Sequence, residues 1–421
     1  MAMIPKTFKD RDVTKTLMII GAGAEQVPAY ELAKARGFKV IGTDLNPNAP
    51  GLKIADYALY VSTKDAESTS DAAEQFNRIQ KIDGVMTIAN DVPFTVAMVA
   101  QKLGLNSISL DAAICASNKL AMKNKFLEHG VECPWFSKIS SLDELKQVVC
   151  DNTSSQRYVL KPVDGSGARG VILIDENTNL DWAFKESMSW GKSGSLIIEK
   201  FVEGLQLSTE SFILNGKCFT PGISERNYSR LNDFRPYIIE DGGTIPAKIE
   251  MSLRDKVTSL ILRGASAMGI DKGLIKGDIV IDKNGQPMII ELAARLSGGW
   301  FSTHQIPIAT GVNLVNAVMS EALGIPVAEN ELEETKSRAT AIRYFFPPEG
   351  EILSIDGLDE IKNSPGVIKW GLFRGVGDFQ PKVLMHPDRF GYVLVEASNR
   401  DEAITLVEKA MSKLKIEIKK V

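Results

Sequence analysis

A mixed fold is predicted, α/β in the first quarter of the chain and α+β beyond it, from three observations. Residues 16–115 alternate short apolar strands with helical patterns, the order of a parallel sheet with right-handed crossovers. The stretch 273–299, GLIKGDIVIDKNGQPMIIELAARLSGG, reads as two strands joined through Asn284-Gly285, an antiparallel hairpin. From Ala339 the order is strand, loop, short helix, strand, a turn at Gly375-Val376-Gly377, strand and helix, which describes a small α+β unit.

The 421 residues suffice for two to four domains. An apolar content of 44%, a charged content of 24% and a net charge of -4 describe an ordinary globular chain. No Lys/Arg block stands out, so neither nucleic acid nor a membrane is an expected partner. The run LMIIGAGA is too short to span a bilayer and lacks the layout of a signal peptide. Cys115, Cys133, Cys150 and Cys218 have no CxxC spacing, which suggests a reducing, cytoplasmic setting. His129, His304 and His386 are scattered, which argues against zinc.

In the N-terminal part, TLMIIGAG leads to a helix through Arg36. Then come FKVIGTD, a helix near 70–81, GVMTIAND and a helix through Leu103. Gly21-Ala22-Gly23 after the first strand and Asp44 after the second invite a dinucleotide reading, but Gln26 holds the third glycine position. The tight turn of such a sheet explains the two glycines as well. Residues 116–135 read as a helix with Gly130 as its stop, and Lys119 and Lys123 share a face at i,i+4. These lysines are either solvated or aimed at a ligand.

YVLKPVDGSGARGVILID reads as strand, glycine loop, strand. Gly165, Gly167 and Gly170 fit GxGxxG, yet a second strand follows where a dinucleotide fold needs a helix, and no Lys-Ser/Thr closes a P-loop. Such a hairpin can offer Gly165, Ser166 and Gly167 amides to phosphates, with Lys161 as a point charge; an unliganded hairpin is the alternative. SLIIEKFVEG reads as a strand entering a polar turn. Glu199 and the backbone of Lys200, Phe201 and Val202 suit an adenine edge, and Glu203 suits ribose hydroxyls; a solvated edge strand remains open. Residues 222–247 read as a long irregular segment, functional or mobile. Its Arg226, Arg230 and Arg235 suit carboxylates, and its Glu240-Asp241 pair suits an ammonium group. Helices are expected over 250–272 and 303–324, with a charged linker between the latter and Ala339.

Asp278 and Glu291 lie in apolar strands, where an ionised carboxylate needs a cation. Two such groups on adjacent strands can share Mg2+, or Mn2+ in its place. Arg295 and the amides of Ser297, Gly298 and Gly299 follow, a combination that suits phosphoryl chemistry. A buried Glu291–Arg295 pair closing the sheet edge is the alternative.

Taken in order, Lys119, Lys161 with its glycine hairpin, Glu199, Asp278 and Glu291-x-x-x-Arg295 resemble the ATP-grasp superfamily. Within it, ELAAR followed by glycines, and the PGV…GD pattern at 365–378, are similar to the amino-acid ligases that make dipeptides. The resemblance implies an ATP-grasp fold in three parts: an N-terminal parallel-sheet domain over 1–115, an ATP-grasp domain over 116–330 and a C-terminal α+β domain over 335–421. The ATP-grasp domain would divide into a nucleotide lid at about 135–203 and a metal and substrate half at about 204–330. It further implies a carboxylate–amine ligase with an acyl phosphate intermediate. Lys119 and Lys161 would hold phosphates, Glu199 adenine, and Asp278 and Glu291 Mg2+, with Arg295 and Lys161 catalytic. The substrates would be a small carboxylate, with an amino acid expected, and an amine, and a homodimer is an allowed assembly. Ala293 stands where many members carry Asn, and Gln206 where a Glu is common, which leaves the metal count open. The alternatives are a carboxylase or carbamoyl-phosphate type of ATP-grasp enzyme, or a nucleotide-binding regulator with a degenerate site.

Overall fold

The first apolar run becomes β1 (Thr16–Ile20), buried at every position. With β2 (Lys39–Thr43), β3 (Tyr57–Leu59) and β4 (Gly84–Thr87) it forms a parallel sheet in the order β3-β2-β1-β4. The chain is described here by a computed structural model over residues 14–151 and 156–420. Residues 1–13, 152–155 and 421, which belong to the expected N-terminal domain, lid and C-terminal domain, lie outside the described residues. The helices are Val27–Ala35, Ala66–Asn77 and Pro93–Leu103. The second begins before the expected residue 70 because Asp65 caps it, accepting from Ser68 N at 3.0 Å. β3 went unpredicted; three half-buried residues carry no readable period.

Two compact units are formed, one of the described residues up to 108 with 315–327, the other of 109–314 with 328–421. In the first, Lys15 Nζ donates to Leu323 O at 2.9 Å and Arg36 Nη1 to Ser320 Oγ at 3.0 Å. The helix Leu314–Ala322 packs so closely on β4 that a Cβ at Gly84 would lie 2.5 Å from Ala322 O. Gly21 takes φ +99, and the Ala22 amide donates to Asp44 at 3.1 Å, so Asp44 braces the loop after β1.

The second unit begins with the helices Leu110–Ser117 and Lys119–Glu128, the latter capped by Asn118 and stopped at Gly130 with φ +64. β5 (Phe136–Ile139), β6 (Tyr158–Pro162), β7 (Ile172–Ile174) and β8 (Leu196–Lys200) make an antiparallel sheet in the order β5-β8-β6-β7. The glycine loop joins β6 to β7, as expected, and β8 is an inner strand, not an edge. Next come β9 (Gly204–Leu214), β10 (Lys217–Asn227) and β11 (Gly242–Ile245), then β12 (Gly273–Asp282) and β13 (Pro287–Ala293), the expected hairpin. The C-terminal residues supply β14 (Ala339–Phe345), β15 (Gly350–Asp356), β16 (Val367–Leu372), β17 (Phe379–Gln380), β18 (Gly391–Ala397) and β19 (Lys415–Lys419). One sheet runs β13-β12-β9-β10-β11-β14-β18-β16, so the C-terminal strands extend the hairpin's own sheet. A smaller one runs β17-β15-β19.

Two expectations are corrected here. The segment 222–247 is not irregular throughout: β10 reaches Asn227 and β11 starts at Gly242, because the pairs Glu225–Thr244 and Arg226–Gly243 satisfy its backbone. The helix expected over 303–324 is broken. Trp300 takes φ +60 and Gly311 φ +83, leaving the turns Phe301–Gln305 and Ile306–Thr310 before Leu314–Ala322. The helix expected over 250–272 runs Met251–Ala267.

Candidate active site

Asp278 on β12 and Glu291 on β13 are directly opposed, with the ladder irregular just after Asp278. Strand alternation puts Lys276 on the same face as Asp278, and the pairing with β9 sets Glu210 opposite Lys276. Arg226 of β10 reaches Asp278 across this face, its Nη2 2.5 Å from Oδ1, while Lys276 takes Oδ2. Burial alone would push the Asp278 carboxyl up; Arg226 and Lys276 beside it hold it below the usual carboxylate range. Ala293, where an Asn was the common residue, pairs in register with Lys276. Glu291 Oε1 lies 3.2 Å from Lys119 Nζ, which also donates to Gly165 O at 2.6 Å. Lys119 therefore ties the carboxylate strand to the glycine loop.

A second cluster lies in the other sheet. Lys161 Nζ is 2.8 Å from Glu199 Oε1, and Lys123 Nζ is 3.5 Å from Oε2 and donates to Ile289 O at 3.0 Å. Neither Lys119 nor Lys123 is a solvated surface lysine; Lys123 is fully buried. Burial would raise the Glu199 carboxyl, and the two lysines hold it below its ordinary range. Its side chain is thus occupied by lysines. Beyond it, Lys200 N donates to Trp135 O at 2.9 Å and Phe201 N to Arg157 O at 2.9 Å. Arg157 stacks on Phe201 at 4.7 Å and pairs with the exposed Glu203, with Val202 between them in sequence. In the glycine loop Ser166 O accepts from Arg169 at 3.1 Å, and Gly167, at φ +65, accepts at its carbonyl from His386 N at 3.2 Å.

The turn after β13 is held from beneath. Glu210, fully buried on β9, accepts from Ser297 N at 2.6 Å and Ser302 Oγ at 2.8 Å. Of the amides expected to be open, that of Ser297 is therefore taken. Gly298 and Gly299 follow, and a Cβ at Gly299 would come 2.8 Å from Tyr344 Oη. Arg295 is half-buried, donates to Leu296 O at 3.3 Å, and its charge is felt at Glu210, Lys276 and Asp278. Burial pushes the Glu210 carboxyl up, toward the neutral acid. Glu210→Gln, which keeps an accepting oxygen, is expected to hold stability within about 1 kcal/mol, whereas Glu210→Ala leaves the buried Ser297 amide without its acceptor, Ser302 Oγ still having Ser297 O at 3.0 Å, and costs about 1–3 kcal/mol. Urea titration of the two variants measures the difference.

The three arginines of the expected substrate segment part company. Arg226 joins the carboxylate face. Arg230 pairs with Asp233 at 2.9 Å, stacks on Phe234 and Phe346, and with Arg235 lines a separate concavity of about 290 Å³. The acidic pair is also divided. Glu240 lies 3.3 Å from Arg226 Nε and 3.9 Å from Arg389 Nη2, while Asp241 accepts from Ser229 Oγ at 2.7 Å. Glu210, Lys276, His386 and Arg389 were not singled out from sequence. The first two carry the same signal as Asp278, a charge inside an apolar strand; for the last two no local pattern exists.

Two carboxylates on opposed strands, flanked by Lys119, Lys276, Arg226 and Arg295, fit a phosphate chain carrying Mg2+ or Mn2+. The carboxylates can take part of the metal's oxygen shell, and the surrounding cations suit the anion that completes it.

Residues 116–299 match the family profile of the ATP-grasp domain, and residues 343–419 that of the L-amino acid ligase C-terminal domain 2. The fold superposes on the L-amino acid ligase of Bacillus licheniformis with a TM-score of 0.82 at 24% identity, covering 97% of this chain and 99% of that one. An uncharacterized protein of Sinorhizobium fredii is 25% identical over 87% of this chain and 77% of its own length. Human carnosine synthase 1 is 22% identical over 74% of this chain, which spans 40% of that longer protein. The chain thus carries an ATP-grasp domain followed by an L-amino acid ligase C-terminal domain 2. In this pairing of domains the chain resembles the L-amino acid ligases, and it shares the fold of a solved one. Among the described residues no helix is long and apolar enough to cross a membrane.

Proposed function

We propose that the protein activates an amino-acid carboxylate as an acyl phosphate at the expense of ATP and transfers the acyl group to an amine, releasing ADP and phosphate. The observation that carries this reading is the opposition of Asp278 and Glu291 on one sheet face. The Arg295–Gly299 turn follows directly, and Lys119 bonds both Glu291 and the glycine loop. Bound Mg2+ would neutralise phosphate charge, with Asp278 and Glu291 as its protein ligands. Lys119 and Lys161 orient the phosphates and Gly165–Gly170 covers them. Arg295 stabilises charge on the transferring group and then on the tetrahedral oxyanion. Glu210 fixes the turn that carries Arg295. Phosphoryl transfer requires positioning and charge more than a protein nucleophile, in keeping with a site built from lysines, arginines and carboxylates.

Turnover is expected to yield ADP and phosphate, and hydroxylamine should intercept the activated acid as a hydroxamate. Chromatography of the nucleotide product decides the route, since AMP with pyrophosphate would mean an adenylate and exclude the acyl phosphate.

A further inference from the structure

His386 and Arg389 sit in the loop before β18, and each keeps a buried nitrogen without a hydrogen-bond partner, His386 Nε2 and Arg389 Nε. Leaving a buried donor or acceptor unpaired costs about 1–3 kcal/mol, so two such nitrogens in one loop call for a ligand group. The loop is held at the site on two sides. His386 N donates to Gly167 of the glycine loop, and Arg389 lies 3.7 Å over the ring of Tyr344, whose hydroxyl borders Gly299.

The charge of the missing group follows from the neighbours. Arg226, Lys276, Arg389 and Arg169 all act on His386, and burial together with these cations keeps the imidazole neutral. The carboxylates that answer them are already shared. Glu240 lies between Arg226 and Arg389, and Asp278 between Arg226 and Lys276. Glu240 thus serves arginines where an ammonium receiver was expected. A cationic surface with a neutral imidazole can donate to an anion and repels a polyamine.

We infer that Arg389, with His386, recognises an anionic group of the substrates other than the carboxylate that is activated. The inference rests on the ligase reading above and makes Arg389 a specificity-determining residue. A carboxylate on the acid substrate's side chain and the free carboxylate of an amino-acid amine present the same chemistry, so substrate pairs differing by one charge separate them. Phosphate release is measured with L-glutamate against L-glutamine and L-aspartate against L-asparagine as the acid, and with L-alanine against L-alaninamide as the amine.

The anionic member is expected to lead by about 10- to 100-fold in kcat/KM in one of the two arms, the worth of a charged hydrogen bond. Arg389→Met should abolish that preference chiefly by raising KM for that substrate, and leave Mg-ATP affinity unchanged by calorimetry. Arg389→Lys, which keeps the charge but not the planar fork, should fold and retain part of the preference; it replaces the Met variant if that one melts early. No preference in either arm, a preference that survives loss of Arg389, or a fall in Mg-ATP affinity would overturn the inference, the last by giving Arg389 to the nucleotide. Absence of turnover with every pair would count against the ligase reading. Calorimetry of the same pairs with Mg-ATP then decides separately: anion-selective binding lost in Arg389→Met supports the inference, and equal or absent binding rejects it.

Discussion

Glu199→Leu is expected to destabilise the second unit by about 3–5 kcal/mol, the cost of leaving buried charge without its partner. The side chain is almost wholly buried and is the acidic group between Lys123 and Lys161. Its removal strands two lysines; burial already pushes Lys123 down from the ordinary ammonium range. The triple replacement Lys123→Met, Glu199→Leu, Lys161→Met removes all three charges and should recover much of the loss, although ATP binding would not return with it. The acid side gives an independent check. The folded-state pKa of Glu199 is depressed. Its contribution is therefore fully present above the unfolded value, roughly 4.3, and is lost as pH falls through the folded one. The single variant should lie well below wild type in urea titrations at pH 7, and the gap should narrow below about pH 4. A Glu199→Leu protein as stable as wild type at pH 7 would leave the cluster without structural weight.

What sequence could reveal here depended on how local the signal was. β1, β2, β4 and the β12–β13 hairpin were legible because apolar runs and an Asn-Gly turn act over a few residues. β3, β15 and β19 were not, being short or half-buried, with their pairing supplied from elsewhere in the chain. Asp278 and Glu291 announced themselves as charges among apolar neighbours. Which cation each would meet did not. Glu291 finds Lys119, 172 positions earlier in the chain by number, and Asp278 finds Arg226 and Lys276. Arg226 looked like its companions Arg230 and Arg235, and only the run of β10 to Asn227 separates it from them. Arg389 and His386 reach the site through the fold of the C-terminal loop, beyond any spacing rule.

Arg295→Met is expected to lower kcat by about 100- to 1,000-fold, the contribution of one oxyanion donor, with Mg-ATP binding nearly intact. The methionine keeps a long apolar stem at a half-buried position, so packing damage is small. Glu291→Gln should behave differently. As a metal ligand in the proposed site, Glu291 acts before transfer begins, so its amide should weaken Mg-ATP binding and turnover together. Lys119 keeps its bond to Gly165 O in that variant, which limits the structural loss. If Glu291 and Arg295 served only to close the sheet edge, removal of either would act on stability. Both variants would then melt early, by about 3–5 kcal/mol for a buried pair, and lose nucleotide binding to the same degree. Thermal melts and nucleotide titrations on the two proteins separate these outcomes. A stable Arg295→Met that binds Mg-ATP but scarcely turns over assigns the arginine to charge that exists only during transfer. Two early melts with equal loss of binding would reduce both residues to scaffolding.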